Sequence, residues 1–571
     1  MRDSLPLEAA LEALTRPETV LLTANRRLAR HLRREFDARR EQAGERLWET
    51  PQILPLGSWL SQQWDEWLDD APPSGGPLLL TEWQETWLWE RLVARSREGS
   101  ELLDPTGAAQ LAREAWTLLH QWHLPLDAPE FDHSPESRAF RTWALRFQQQ
   151  CAQRGWESPA LLPDRLGRLP RLPRPPERVL LAGFDRIPPQ SRQLWDALEA
   201  QGIPVHAVSF PPQRGSVARL AVADETEEMR LAARWCRNLL EQNPGAAIGV
   251  VVPNLEARRE RIERMFSAVF RPALALSPES RPLLHLSLGP PLASRPVIRD
   301  LLALLELAAD RLPADRLSLL LRSPFWGGDE AEGERRALLE ARLRDQGRFA
   351  PDRDELRHAA ANGLGWPEAA SPALARALGD LAAGGRLPAA GAAAWAERFS
   401  QWAAALGWPG PRGLDSAERQ AVDAWKSTLG EFAKLELTAG SMPLAEALAW
   451  LRRIAASTPF QTEGSDEAVQ VMGPLETAGE RFDALWILGL SHAAWPAAAR
   501  PNPYLPLPLQ RRLGLPRATP EGETAFARDV TARLADSAPQ VIASHPLVEE
   551  DRPSRVNPLI THWPALPPEA L

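Results

Sequence analysis

The run Ala484 to Leu490, ALWILGL, carries no charged side chain and ends beside a glycine. A bounded apolar run of that length reads as a strand buried on both faces, which is how strands sit in a parallel sheet covered by helices. Parallel neighbours need long crossover connections, so such a strand commits the chain to an α/β fold. Loops at the carboxyl ends of those strands are where α/β proteins place their sites. Here that end leads from GL through SHAAWP into PNPYLP.

The same grammar recurs along the chain. Thr19 to Thr23 reads as a strand, Asn25 follows, and Arg26 to Arg40 reads as a helix with Leu28, Leu32 and Phe36 at helical spacing. RVLLAGFD, from Arg178, gives a strand and loop before an amphipathic helix and a further strand, Ile203 to Ser209. Asp224 to Gln242 predicts a helix with an acidic start, followed by the strand Ala247 to Val252 and the helix Leu255 to Phe266. Thr524 to Leu534 and Gln540 to Ser544 predict a closing helix and strand. Between these groups lie two long helical stretches, Ser58 to about Arg168 and Val297 to Thr458.

At 571 residues the chain is too long for one core, so several domains or one interrupted domain are expected. No run of about 18 uncharged apolar residues occurs and the start lacks a signal-peptide layout, which predicts a cytoplasmic protein without membrane contact. Two cysteines, Cys151 and Cys236, exclude a disulfide framework and a four-cysteine iron–sulfur site within this chain. The net charge of -9 argues against a general nucleic-acid coat, although a basic groove can sit on an acidic body.

Lysine usage decides more. Of 66 basic residues only Lys426 and Lys434 are lysines. A phosphate-binding G-x-x-x-x-G-K-[ST] loop needs its lysine on the β- and γ-phosphates, yet Lys426 follows Trp425 and Lys434 precedes Leu435. A PD-(D/E)XK nuclease needs an acid two places before a lysine, and Ala424 and Phe432 stand there. ATP-hydrolysing and nuclease chemistry of these kinds therefore lack their residues. No zinc spacing, nucleophile elbow or dinucleotide fingerprint is present. His120, His123, Asp132 and His133 read as ordinary helix residues, so no metal or cofactor is expected. Tryptophans such as Trp83 and Trp87 fall at helical spacing and read as core before base platforms.

The pattern strand, LE-x-x-G-x-x-F-D, strand, G-L, W-P and Pro-Asn-Pro resembles the fifth motif of UvrD-like superfamily 1 helicases. The degenerate form here is similar to that of AddB-like DNA repair and recombination proteins, whose chains normally end in a RecB-type PD-(D/E)XK exonuclease domain. The resemblance implies two RecA-like parallel-sheet lobes, each interrupted by a large α-helical insertion. It sets the first lobe at 1–57 and 177–218 with its insertion at 58–176, and the second at 219–292 and 466–545 with its insertion at 293–465. Residues 546–571 would then be a linker toward a nuclease domain. The segment from Val179 would match motif II, with only Asp185 left of its carboxylate pair, and a gapless match puts Ser537 where motif VI has an arginine.

By the same resemblance, Thr19 to Arg40 is similar to motif Ia, which touches single-stranded DNA. Thr23, Asn25, Arg26, Arg27, Arg30, Glu476 and Arg481 are the DNA-contact candidates, while composition alone reads the helix arginines equally as a solvated face balanced by Glu35 and Asp37. The expected function is a helicase-like body that binds single-stranded DNA or duplex ends, or positions a nuclease, without motor chemistry in this chain. The alternative is a scaffold for a partner helicase or nuclease subunit that never meets nucleic acid. LRSPFWGG, from Leu321, and LGWPGPRGLDS, from Leu406, are further AddB-like signatures with no role assigned by the sequence.

Overall fold

A computed structural model describes residues 3–70, 76–213, 215–274, 284–287, 289–307, 311–327, 330–382, 388–461 and 468–570. The chain forms two compact units, one of 1–80, 92–288 and 465–571, the other of 81–91 and 289–464. Both parallel-sheet lobes lie in the first. Among the described residues no helix is long and apolar enough to cross a membrane.

The first lobe is built on β1 (Ser4–Pro6), β2 (Thr19–Thr23) and β3 (Gln52–Pro55). A two-stranded pair in its helical insertion, β4 (Leu78–Leu79) and β5 (Trp156–Glu157), precedes β6 (Arg178–Ala182) and β7 (Val205–Ser209). The five-stranded sheet runs β1-β7-β6-β2-β3, all parallel. Alternation along the strands fills two cores. Val20, Leu22, Val179 and Leu181 pack with Trp59 and Trp64 of the helix Leu56–Asp69 and with Leu194 and Trp195 of the helix Pro189–Ala200. Leu21, Ile53 and Leu180 face the other way, onto Leu28, Leu32 and Phe36 of the helix Arg26–Gln42. Apolar residues at consecutive positions of β2 are thus all needed, because each face has its own helices.

The second lobe adds β8 (Ser216–Asp224), β9 (Ile248–Val251), β10 (Leu284–Leu286), β11 (Val469–Met472), β12 (Ala484–Ile487), β13 (Gln540–Glu549) and β14 (Arg552–Pro553). Its order is β10-β11-β9-β12-β13, with β8 also paired to β13, and only the two-residue β14 is antiparallel. Val250, Val471 and Trp486 pack under the helices Glu225–Gln242 and Leu255–Leu274, while Leu485, Ile487 and Val541 pack under the helix Pro520–Ala535. The α/β class with two parallel-sheet lobes and helical insertions is the one expected.

Boundaries differ in three places. β8 crosses the expected division at 218 and pairs with β13 along nearly its whole length, so residues from Ser216 on belong to the second lobe. Residues 81–91 were expected in the first insertion but join the other unit, where Trp83 meets Trp450 edge-on and Arg91 pairs with Glu446 at 2.6 Å. The 546–571 segment is not a linker in this fold: Ile560 and Trp563 are buried in the second-lobe core, and Leu566 N–H donates to the Arg219 carbonyl at 2.8 Å. Pro558 and Pro568 open the short 3₁₀ turns Pro558–Ile560 and Pro568–Ala570, where a missing N–H is tolerated, while Pro546 lies within β13 opposite Val222.

The second unit is helical, and it accounts for the two signature segments. Arg336, 2% exposed, donates to the carbonyls of Leu321, Ser323 and Trp326 at 3.2, 2.8 and 3.0 Å and stacks 4.4 Å over the Trp326 ring. The Gly327 N–H donates to the Leu406 carbonyl, and Arg412 stacks over Phe325, so the two segments pack on each other. Their role in this fold is structural. Arg336→Met should strand three buried carbonyls and cost about 3 kcal/mol. Hydrogen exchange at Leu321 to Trp326 should speed up accordingly; unchanged protection there would refute this account.

Candidate functional site

In the first sheet β2 leads to β3 on one side while β6 leads to β7 on the other, so the carboxyl ends of these two neighbours form the topological switch point. Thr23 closes β2 and its hydroxyl donates to the Asn25 carbonyl at 2.8 Å. Asn25 caps the helix Arg26–Gln42, accepting from the Leu28 N–H at 2.8 Å, which fixes where the arginine row begins. Gly183, Phe184 and Asp185 leave β6 beside it.

The second-lobe loop 473–483 closes over this point. Gly479 has φ +77, and a Cβ there would stand 2.7 Å from Phe210 Cζ and 2.8 Å from Leu28 Cδ1. The lobes approach this closely because that position has no side chain.

The seven candidate residues divide. Arg26 and Arg30 are exposed on the first turns of the helix. Arg27 instead turns into the lobe contact, donating to Gln470 Oε1 of β11 and standing 3.4 Å from Glu480. Glu480 is 5% exposed and also lies 3.4 Å from His31 Nδ1. Glu476 accepts from the Ser287 hydroxyl and, at 3.0 Å, from the Gly473 N–H. Arg481 donates to the Pro211 carbonyl at 3.2 Å. Thr23 and Asn25 shape the backbone. Of the set, the structure therefore leaves Arg26 and Arg30 facing solvent and commits Arg27, Glu476 and Arg481 to intramolecular partners.

Arg34 is exposed further along the same helix. Burial, with Arg27, Arg30 and Arg34 nearby, pushes His285 of β10 down to about 4, so its imidazole is neutral at pH 7 and adds no charge to this face.

The sequence did not single out Arg533. It projects from the helix Pro520–Ala535, one turn before Ser537, and its Nε lies 2.9 Å from Asp185. It also donates to Thr477 Oγ1 at 2.8 Å and to the Pro474 carbonyl at 3.0 Å. Ser537 is structural, its hydroxyl donating to Leu534 and its carbonyl accepting from Phe482. Arg533 thus reaches the first lobe and is spent on the protein's own carboxylate. Burial raises the Asp185 carboxyl above its ordinary range, against the pull of Arg533. Spacing within a helix could have suggested Arg533, but nothing in the sequence reveals its partner 348 positions away.

The second lobe's switch point lies between β9 and β12 and is also filled. Arg258 binds Glu225 at 2.7 Å and Glu549 at 2.6 Å. Beneath it Glu228 is fully buried, accepting from the Gly489 N–H at 2.9 Å and the Ser544 hydroxyl at 2.6 Å. Its Oε2 has no hydrogen-bond partner, and burial raises the carboxyl to about 7.

Chemically, this arrangement holds lobes together and offers a cationic helix face. β1 runs directly into the helix Leu7–Ala13 with Pro6 as its cap, so no loop there could cradle phosphates. The cavity of about 1000 Å³ beside the clasp is lined by Asp3, Asp185, Asp196 and Glu199 against Arg192 and Arg533, a balance that repels a triphosphate. Among the described residues no group of three or more His, Cys, Asp or Glu side chains is placed to hold a metal ion. No family model matches this sequence, and comparison with curated proteins gives no match.

Proposed function

We propose that this chain is the DNA-holding body of an AddB-like repair or recombination protein: two helicase-like lobes clasped by their own side chains and working without bound nucleotide. The observation that carries the reading is the row Arg26, Arg30 and Arg34, exposed on a helix that starts at the carboxyl end of β2 beside the point where the lobes meet. A helix amino terminus with several guanidiniums favours a phosphate backbone through hydrogen bonds and charge together. Single-stranded DNA or a frayed duplex end is the partner such a row suits.

The scaffold alternative draws support from the engagement of Arg27, Glu476 and Arg481 inside the molecule. One double substitution separates the two. Arg26→Ala with Arg30→Ala leaves the clasp intact, should weaken binding to a single-stranded oligonucleotide, and should lower the salt slope by about 1.4, two phosphate contacts' worth. Binding with an unaltered slope would assign the chain to the scaffold.

A further inference from the structure

Leu284 and Leu286 of β10 pack against the second-lobe core that holds Val469 and Val471 of β11. Alternation turns the residues between them, His285 and Gln470, to the opposite face of the sheet, where the parallel register sets the two side by side. That face looks onto the helix Arg26–Gln42 of the first lobe. Arg27 donates to Gln470 Oε1, and the Arg30 and Arg34 guanidiniums are close enough to act on the His285 ring. One wall here is cationic, and the wall across from it is an imidazole beside an amide.

The second wall does not suit a phosphate. Burial and the facing guanidiniums keep the His285 ring neutral at pH 7. Gln470 spends its oxygen on Arg27, and its amide nitrogen meets no acceptor among the described residues. At the end of β10 the Ser287 hydroxyl donates to Glu476, which puts a carboxylate beside the strip and repels anions. Both His285 and Gln470 are half-buried, so part of each stays open to solvent, and β10 is the edge strand of its sheet. A flat neutral ring next to a spare amide donor suits a nucleobase, which offers a π-face and polar edges together.

We propose that His285 and Gln470 contact the bases of the strand whose phosphates lie on the arginine row, which makes the bound partner single-stranded DNA and not duplex. This rests on the DNA-holding reading and adds to it the side of the strand that faces the second lobe. A duplex on the same row would keep its bases stacked and paired, out of reach of a ring on a sheet face. An unpaired strand can turn its bases toward β10 while its phosphates stay on Arg26, Arg30 and Arg34.

Anisotropy titration of the full chain with labelled oligothymidylate, and with an abasic strand of the same length and charge, tests this. The expected result is that the abasic strand binds about tenfold more weakly, with the same salt slope. His285→Ala should weaken oligothymidylate about tenfold and the abasic strand hardly at all, while His285→Phe, which keeps a stacking ring, should stay near wild type. The two strands are compared on the wild-type protein, so the result stands even where His285→Ala folds poorly. Equal affinity for the two strands, or an equal loss for both in His285→Ala, would overturn the proposal. Equal affinity with a slope that still falls in Arg26→Ala with Arg30→Ala would leave the arginine row holding DNA by its backbone alone. No binding of either strand would overturn the DNA-holding reading and this proposal with it.

Discussion

Gly479→Val should loosen the contact between the two sheets by about 3 kcal/mol. A β-branched residue at φ +77 costs about 1–2 kcal/mol in backbone strain alone. Its Cβ would also enter the space of Phe210 and of Leu28, whose side chain is fully buried and cannot step aside, and overpacking adds about 1–3 kcal/mol. Gly514→Ala is the control, since that glycine has φ +65 with nothing within 4 Å and reports backbone strain only. Hydrogen exchange at Gly183 to Asp185 and at Thr477 to Arg481 should accelerate in Gly479→Val and stay unchanged in Gly514→Ala. Equal behaviour of the two variants would mean that the close approach is unimportant.

Glu228→Gln should stabilise the protein at pH 8 and do little at pH 5. The folded state raises this carboxyl from 4.5 to about 7, so it holds the proton more tightly than the unfolded chain does. The stability this contributes is complete below about pH 4.5 and is lost as pH rises through 7. Glutamine keeps an acceptor for Gly489 and Ser544 and never ionises. At 1.36 kcal/mol per unit, the gain over wild type above pH 8 is about 3 kcal/mol. Urea unfolding of both proteins between pH 5 and pH 8 gives the difference directly. A gap that does not change with pH would remove Glu228 as its source.

Strands with a helix on each face were legible because burial on both sides leaves an unbroken apolar run: Thr19 to Thr23 was read with the bounds the structure gives. Others were not. β1 is three residues ending in proline, β10 is three residues at a sheet edge, and β8 carries Arg219 in its middle, which breaks the apolar signal. The candidate site was legible in its helix and cap, where Asn25 and the periodic Leu28, Leu32 and Phe36 are local signals. What the sequence hid were partners distant along the chain. Arg27 and Gln470 are 443 positions apart, and no local pattern tells a guanidinium that faces solvent from one that ties two lobes. Nor does any local pattern show that Arg533, one turn before Ser537, reaches Asp185 of the first lobe.

Photocrosslinking of a single-stranded oligonucleotide carrying 4-thiothymidine, followed by peptide mapping, tests the DNA-holding account most directly. Adducts within Arg26 to Arg34 and along the neighbouring β10 edge, disappearing as salt is raised, are the predicted result. Adducts confined to the helical unit 289–464, or none while the folded protein stays intact, would contradict it.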